Sequence, residues 1–357
     1  MRSDGPDLYC IHMALREQGR AGFDTPSTPT SSTGERVYPP KPVSEMRKKG
    51  IYPSVVSLPR DLSNLASELG AFPFDADTSR FTVRYFVENG ALNSLSPEER
   101  SNVEQYIEGI VKLEGDGEAF QDCSVIYMGK NSQSRRTTSE LFKTEIATEL
   151  RVFSSKSPEK KYDYSDFTFR EISSHDKVDP KIIDQYEELY KAFGWNRDQV
   201  TQILQNPTSI LIGAFEGDRL VSSGMAERAE FDIERNGVPH KFVMYEITEA
   251  ATNIDYRGRG IYSKIARNLL KALANTDTDL VYGECNAQSP AVLQASHSLG
   301  RTSSIQALAE FGFPPKLLEQ HVRIAAGPND LRPITEKNDL LPTYMTRNKL
   351  LQYANEN

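Results

Sequence analysis

The chain has 357 residues, 38% of them hydrophobic, with 42 Lys and Arg against 50 Asp and Glu, a formal net charge of −8. That length provides for two domains with buried cores, and the acidic balance argues against broad nucleic-acid binding, which rests on phosphate neutralisation. No apolar run approaches membrane-spanning length and no signal core opens the chain, so a soluble, cytoplasmic protein is expected; the widely separated Cys10, Cys123 and Cys285 and the five histidines have no ligand spacing, which predicts reduced thiols and no metal.

Residues 1–45 include TPSTPTSSTGERVYPPKP, a Ser/Thr/Pro-rich tract that reads as a mobile tail. Residues 46–155 read as a small α+β domain. Its expected elements are a helix over Asp61–Leu69 with Asp61 as N-cap, a strand over Arg80–Phe86, and a helix opened by the capping box Ser96-Pro97-Glu98-Glu99 and running to Leu113. A strand over Val125–Met128 and a helix over Ser139–Leu150 follow. This domain would pack on the next one, shape a substrate site or form a homodimer. Residues 154–166 are polar and read as a linker. Then come a strand from Phe167, helices over Pro180–Phe193 and Asn196–Leu204, and strands over Ser209–Phe215 and Leu220–Ala226 joined by a hairpin at Glu216-Gly217-Asp218-Arg219.

The most informative stretch is Phe242–Leu273. Phe242, Val243, Met244, Tyr245, Ile247 and Thr248 suit a strand, and a turn follows at Arg257-Gly258-Arg259-Gly260. Ile261, Ile265, Ala266, Leu269, Leu270 and Leu273 then recur with helical period. A glycine turn ahead of a helix N-terminus exposes unpaired backbone N–H groups, to which phosphates bind. The chain continues with a strand over Asp279–Cys285, helices over Pro290–Leu299 and Ser303–Glu310 stopped by Pro314 and Pro315, and strands over Gln320–Ile324 and Leu341–Thr346.

Arg257-Gly258-Arg259-Gly260-Ile261 resembles the acyl-CoA pyrophosphate loop of the GNAT superfamily of N-acyltransferases, with Tyr262 where that family prefers Gly or Ala. Glu246-Ile247-Thr248-Glu249-Ala250-Ala251-Thr252, with the turn after it, is also similar to the beta-lysine acetyltransferase branch. The resemblance implies an α/β (α+β) fold over residues 166–350, with a central mixed, largely antiparallel sheet flanked by helices. It implies an N-acetyltransferase that moves an acyl group from acetyl-CoA to the amine of an amino acid or related small metabolite in a ternary complex. An aminoacyl-tRNA donor and a non-catalytic acyl-CoA-binding module are the alternatives.

By the same resemblance Ala250, Ala251 and Thr252 offer backbone to the pantetheine arm, and Arg257, Gly258, Arg259, Gly260, Ile261 and Tyr262 meet the diphosphate. Glu246 stands where the histone acetyltransferase branch has its general base; Glu249 is the second candidate and Glu284 a third, or a substrate contact. Ala309-Glu310-Phe311-Gly312-Phe313 is similar to the ending of the family's motif B helix. The usual tyrosine position there is Leu308, so the proton for the leaving thiolate falls to Tyr344, Tyr262, Ser303, Ser304 or water. Trp195 and Ser303 are the expected substrate contacts.

Overall fold

The computed structural model describes residues 55–71, 80–113, 120–131, 140–155, 161–173, 175–191, 195–287, 289–316, 318–319, 322–324, 331–333 and 339–356. The expected tail, residues 156–160 of the expected linker, and Gln320 and His321 lie outside these.

Helix α1 (Pro59–Ala71) buries Leu62, Ala66 and Leu69 along one stripe, and Asp61 lies in its first turn rather than at the N-cap. Strand β1 (Arg80–Glu88) leads into α2 (Asn89–Asn93). Helix α3 (Pro97–Glu104) is opened by the expected capping box, with Ser96 N–H donating to Glu99 at 2.9 Å and Glu99 N–H to Ser96 Oγ at 3.3 Å. It ends at Glu104 and not at Leu113, because Ile107–Lys112 is strand β2, buried on both faces and paired with β3 (Cys123–Asn131). Helical periodicity there loses to β-branched residues that a partner strand can enclose. The three strands form an antiparallel sheet of order β1-β3-β2, followed by α4 (Glu140–Ser154).

The larger sheet begins with β4 (Thr168–Glu171), after which come α5 (Pro180–Tyr190) and α6 (Arg197–Leu204). Next are β5 (Ser209–Glu216), β6 (Arg219–Arg235) and β7 (Val238–Thr252). The β6–β7 hairpin reaches far beyond the expected strands and turns at Asn236 (φ 54°) and Gly237 (φ 76°), the left-handed pair that a two-residue hairpin loop needs. Helix α7 (Ile261–Ala274) and β8 (Leu280–Asn286) come next, then α8 (Pro290–Ser298), β9 (Thr302–Ser303) and α9 (Ser304–Glu310). Short β10 (Leu318–Glu319), β11 (Val322–Ile324) and β12 (Leu331–Pro333) precede β13 (Asp339–Thr346) and α10 (Arg347–Glu356). The strand order is β10-β13-β8-β7-β6-β5-β4, with β9 on β13; the β7–β8 pair is parallel and the others are antiparallel.

Alternation along β7 divides the core between two faces. Val243, Tyr245 and Ile247 meet α7 and α10 through Ile265, Leu269 and Leu350. Phe242 and Met244 look the other way, where with Tyr282 and Tyr344 they meet Phe86, Val125 and Tyr127 of the small sheet. Helices α5 and α6 cover the remainder of that second face. Helix α9 packs Ala307 and Leu308, with Phe311 and Phe313 beyond it, against Leu62, Leu92, Ile110 and Ile126. The small sheet therefore shares one core with the large sheet and a second with α9, and each large side chain buried in them contributes about 1.5–3 kcal/mol. Leu308 is fully enclosed there. Its position beside α1 and β2 answers a packing need and not a proton-transfer one.

Candidate active site

The parallel β7–β8 ladder stops at Glu246 opposite Tyr282, after only three residue pairs. Beyond that pair the strands part, leaving a gap between Ile247–Thr252 and Gly283–Asn286. A bulge in β7 accompanies the parting: Met225 faces Thr248 while Ser223 faces Ala251, so β7 carries one extra residue. Glu249 sits in that bulge at φ 51°, a left-handed conformation costing a non-glycine residue about 1–2 kcal/mol.

Two tyrosines of α5 hold the bulge. Tyr190 Oη donates to the Glu249 carbonyl at 2.5 Å, and Tyr186 Oη bonds Ser223 Oγ at 2.8 Å. Trp195 stacks on Tyr190 with ring centroids 5.2 Å apart. On the strand side Ser222 Oγ donates to the Ala251 carbonyl at 2.8 Å and meets Thr252 Oγ1 at 2.7 Å. The sequence reading did not single out Tyr186 or Tyr190; both fall on the buried stripe of an amphipathic helix, which hides a polar role.

At the closed end of the gap, half-buried Glu246 accepts a hydrogen bond from Tyr282 Oη at 2.8 Å. Tyr344 is the cross-strand neighbour of Tyr282 and is buried among the same aromatic and aliphatic groups. Glu246, Tyr282 and Tyr344 thus share the face that the small sheet covers. Glu284 is half-buried further along β8, and Glu249 is buried in the bulge. Two expected substrate contacts are buried in packed surroundings. Trp195 belongs to the α5–α6 core. Ser303 is fully buried, caps α9 through Ile305 N–H and donates to Glu149. Burial pushes the Glu149 carboxyl up to about 8, against the lowering effect of the Ser303 hydroxyl.

The other end of the gap leads to the glycine turn. Gly258 (φ 74°) and Gly260 (φ 70°) take left-handed conformations open to glycine without strain. Gly260 is the N-cap of α7 and supplies no capping side chain, so the first-turn N–H groups and the positive helix end are offered outward. Arg257 Nε donates to the Thr252 carbonyl at 3.4 Å. Arg259 lies over the rings of Phe167 at 4.6 Å and Tyr256 at 5.6 Å, and 3.6 Å from Asp166. The expected linker residues Tyr162 and Tyr164 pack on this turn: a Cβ on Gly260 would meet the Tyr162 ring at 2.5 Å, and Tyr164 Oη donates to the Gly260 carbonyl at 3.2 Å. Tyr262 rests its ring against Gly224 of β6, toward the sheet.

One residue in the gap escaped the sequence reading. Arg301 follows α8 and the left-handed Gly300 (φ 78°) and is only 7% exposed. Its guanidinium enters the gap between β7 and β8: a Cβ on Gly283 would lie 2.5 Å from its Nη2 and 2.9 Å from the Ile247 carbonyl oxygen. Nη2 donates to the Thr343 carbonyl at 3.2 Å. Burial lowers the affinity of Arg301 for its proton, while Cys285, Tyr262, Glu246 and Tyr282 oppose that shift. An arginine between two short helices has no local pattern that marks it.

Among the described residues no cluster of His, Cys, Asp and Glu could hold a metal ion, and no helix is long and apolar enough to cross a membrane. No match is found among curated proteins. Solved structures similar to this chain include an N-acetyltransferase from Staphylococcus aureus Mu50, at 9% identity and a TM-score of 0.34, covering 51% of this chain and 97% of that one. Arabidopsis thaliana NAA60 in complex with acetyl-CoA has 11% identity and a TM-score of 0.38, covering 51% and 99%. For yncA, a putative acetyltransferase from Salmonella typhimurium with acetyl-CoA, the values are 14% identity and a TM-score of 0.34, covering 51% and 95%. Residues 178–287, from the start of α5 to the end of β8, match the family model of the acetyltransferase (GNAT) domain. The chain carries an acetyltransferase domain of the GNAT family.

Proposed function

We propose that this chain is an acetyl-CoA-dependent N-acetyltransferase acting on the amine of an amino acid or related small metabolite, by direct attack in a ternary complex. The observation that carries the reading is the gap between β7 and β8, which runs from the Glu246–Tyr282 pair to the uncapped glycine turn of α7. The diphosphate of the donor lies on the turn and the N–H groups of Ile261 and Tyr262, with Arg257 adding charge. The pantetheine arm runs along Ala250, Ala251 and Thr252, whose backbone the bulge turns into the gap.

An alkyl-ammonium acceptor must lose a proton before it attacks. Glu246, held by Tyr282, takes that proton directly or through a water, a role worth about 10²–10⁴ in rate. Glu284 lies along the same strand as Tyr282 and adds negative charge that suits a cationic acceptor. The face bearing Glu246 is covered by the small sheet through Phe86, Val125 and Tyr127, so that sheet encloses the acceptor side, which favours a small amine over a folded protein.

The test is calorimetric titration with acetyl-CoA and CoA, with Gly260→Asp as control, followed by a panel of small amines in a thiol-release assay. Micromolar binding abolished by the substitution, with turnover of one amine class, is the expected result. Absence of binding to either nucleotide would overturn the reading.

A further inference from the structure

Among the described residues Arg301 is a buried cation with no ion-pair partner. Its Nε has no partner among the described residues, and Nη2 meets only the neutral Thr343 carbonyl. A guanidinium removed from water is costly unless an opposite charge or a full set of acceptors meets it. The fold nevertheless makes room for it. Gly283 has no side chain, and any Cβ there would strike Nη2, so β8 is shaped around this group. The guanidinium lies just beyond the last β7–β8 pair, on the side of the sheet that carries Tyr262 and α7, whereas Glu246 and Tyr282 point to the opposite face. That side belongs to the donor.

The position where a proton donor for the leaving sulfur is expected first does not supply one. Leu308 is in the core with α1 and β2, and Ser296 Oγ is committed to Thr343 Oγ1 at 2.9 Å. Resting on the acetyl-CoA reading above, we propose that Arg301 is a catalytic residue that holds the sulfur of CoA and stabilises it as the departing thiolate, so that no proton donor is needed at that atom. The acceptor enters the step as a neutral amine, its first proton having passed through Glu246 to water; its nitrogen bonds to the carbonyl carbon, the C–S bond breaks with its electron pair on sulfur, and the freed Glu246 carboxylate receives the second proton from that nitrogen. The thiolate leaves as the ion partner of Arg301 and is protonated by water after release. A free thiol has a pKa near 8.5 and a neighbouring guanidinium lowers it, which makes the thiolate a better leaving group.

The test reads the thiol of bound CoA by the near-ultraviolet absorbance of its thiolate as pH is varied. The difference between the CoA and desulfo-CoA complexes cancels the protein's own thiols, including Cys285. The other titrating groups whose charge acts on Arg301 are Tyr262 on α7 and, from across the sheet, Glu246 on β7 and Tyr282 on β8. The full-length protein is expected to lower the bound thiol by at least about one pKa unit and, at pH 8, to prefer CoA over desulfo-CoA by roughly tenfold. Arg301→Met should abolish both effects and reduce kcat about 10²-fold with little change in acetyl-CoA affinity, and Arg301→Lys should retain part of each. If the methionine variant does not fold, the wild-type titration decides alone. CoA bound with an ordinary thiol and no preference over desulfo-CoA would overturn the role of Arg301, whether or not Arg301 then meets an acceptor carboxylate, and leave the acetyltransferase reading standing. Failure to bind either nucleotide would overturn that reading as well.

Discussion

Tyr190→Phe isolates the force that holds the β7 bulge open. The substitution keeps the ring that stacks on Trp195 and removes only the hydroxyl that donates to the Glu249 carbonyl at 2.5 Å. Glu249 is buried, so water has little access to the carbonyl left behind, and an unsatisfied buried acceptor costs about 1–3 kcal/mol. The left-handed backbone at Glu249 opposes that bond with about 1–2 kcal/mol of its own. The two quantities are of similar size, so losing the hydroxyl should let the bulge relax or shift register. A loss of about 2 kcal/mol corresponds to a Tm lower by roughly 4–8 °C for a domain of this size. With the bulge backbone carrying the proposed pantetheine contacts, CoA affinity should fall by about tenfold in a calorimetric titration, while Tyr186→Phe, one bond removed, should have a smaller effect. An unchanged Tm with unchanged CoA affinity in Tyr190→Phe would refute the claim that α5 maintains the gap.

Glu246→Gln should keep CoA binding and lower kcat by at least about 10²-fold, with loss of the acidic limb of the pH–rate profile; full activity at neutral pH would remove Glu246 from the mechanism. At the turn, a Cβ on Gly258 would meet nothing within 4 Å, whereas one on Gly260 would strike the Tyr162 ring. Gly258→Ala should therefore cost only the backbone strain of about 1–2 kcal/mol, and Gly260→Ala more, as thermal melts of the two variants can compare. Glu149 has its carboxyl raised from 4.5 to about 8. A raised folded-state value gives stability that is fully present below the unfolded value and is lost as pH rises through the folded one. The wild type should accordingly lose up to about 1.4 kcal/mol per pH unit between about pH 5 and about pH 8, and Glu149→Gln should flatten that slope in denaturant titrations.

What the sequence made legible was whatever depends on neighbours in the chain. The helix after the glycine turn buries the six residues its period marks, Ile261, Ile265, Ala266, Leu269, Leu270 and Leu273, because an isolated 3.6-residue pattern has one answer. The Ser96–Glu99 box formed because its bonds span only one turn. Ile107–Lys112 misled for the opposite reason: its fate depends on β3, which lies beyond the next loop. Asn236-Gly237 was readable as a hairpin turn, and reading it would have extended β6 and β7 to their observed lengths.

The site divides along the same line. Glu246 and the glycine turn stand on one continuous strand–turn–helix unit, so position along the chain was enough to propose them. Tyr282 and Arg301 reach the gap from β8 and from the loop after α8, and Tyr190 reaches the bulge from α5; their proposed roles arise where separate elements converge. Leu308 shows how such convergence can also remove a role. In this chain the small sheet and α1 need an apolar surface from α9, and a phenol hydroxyl at that position would be buried against Leu62 and Ile110 without water. Packing of the small sheet and α1 on the rest of the chain and the chemistry proposed for Arg301 are then two sides of one arrangement. Once α9 is turned to the small sheet, the proposed reaction has the sulfur served from the side of β8 that Gly283 leaves open, where the fold puts the Arg301 guanidinium.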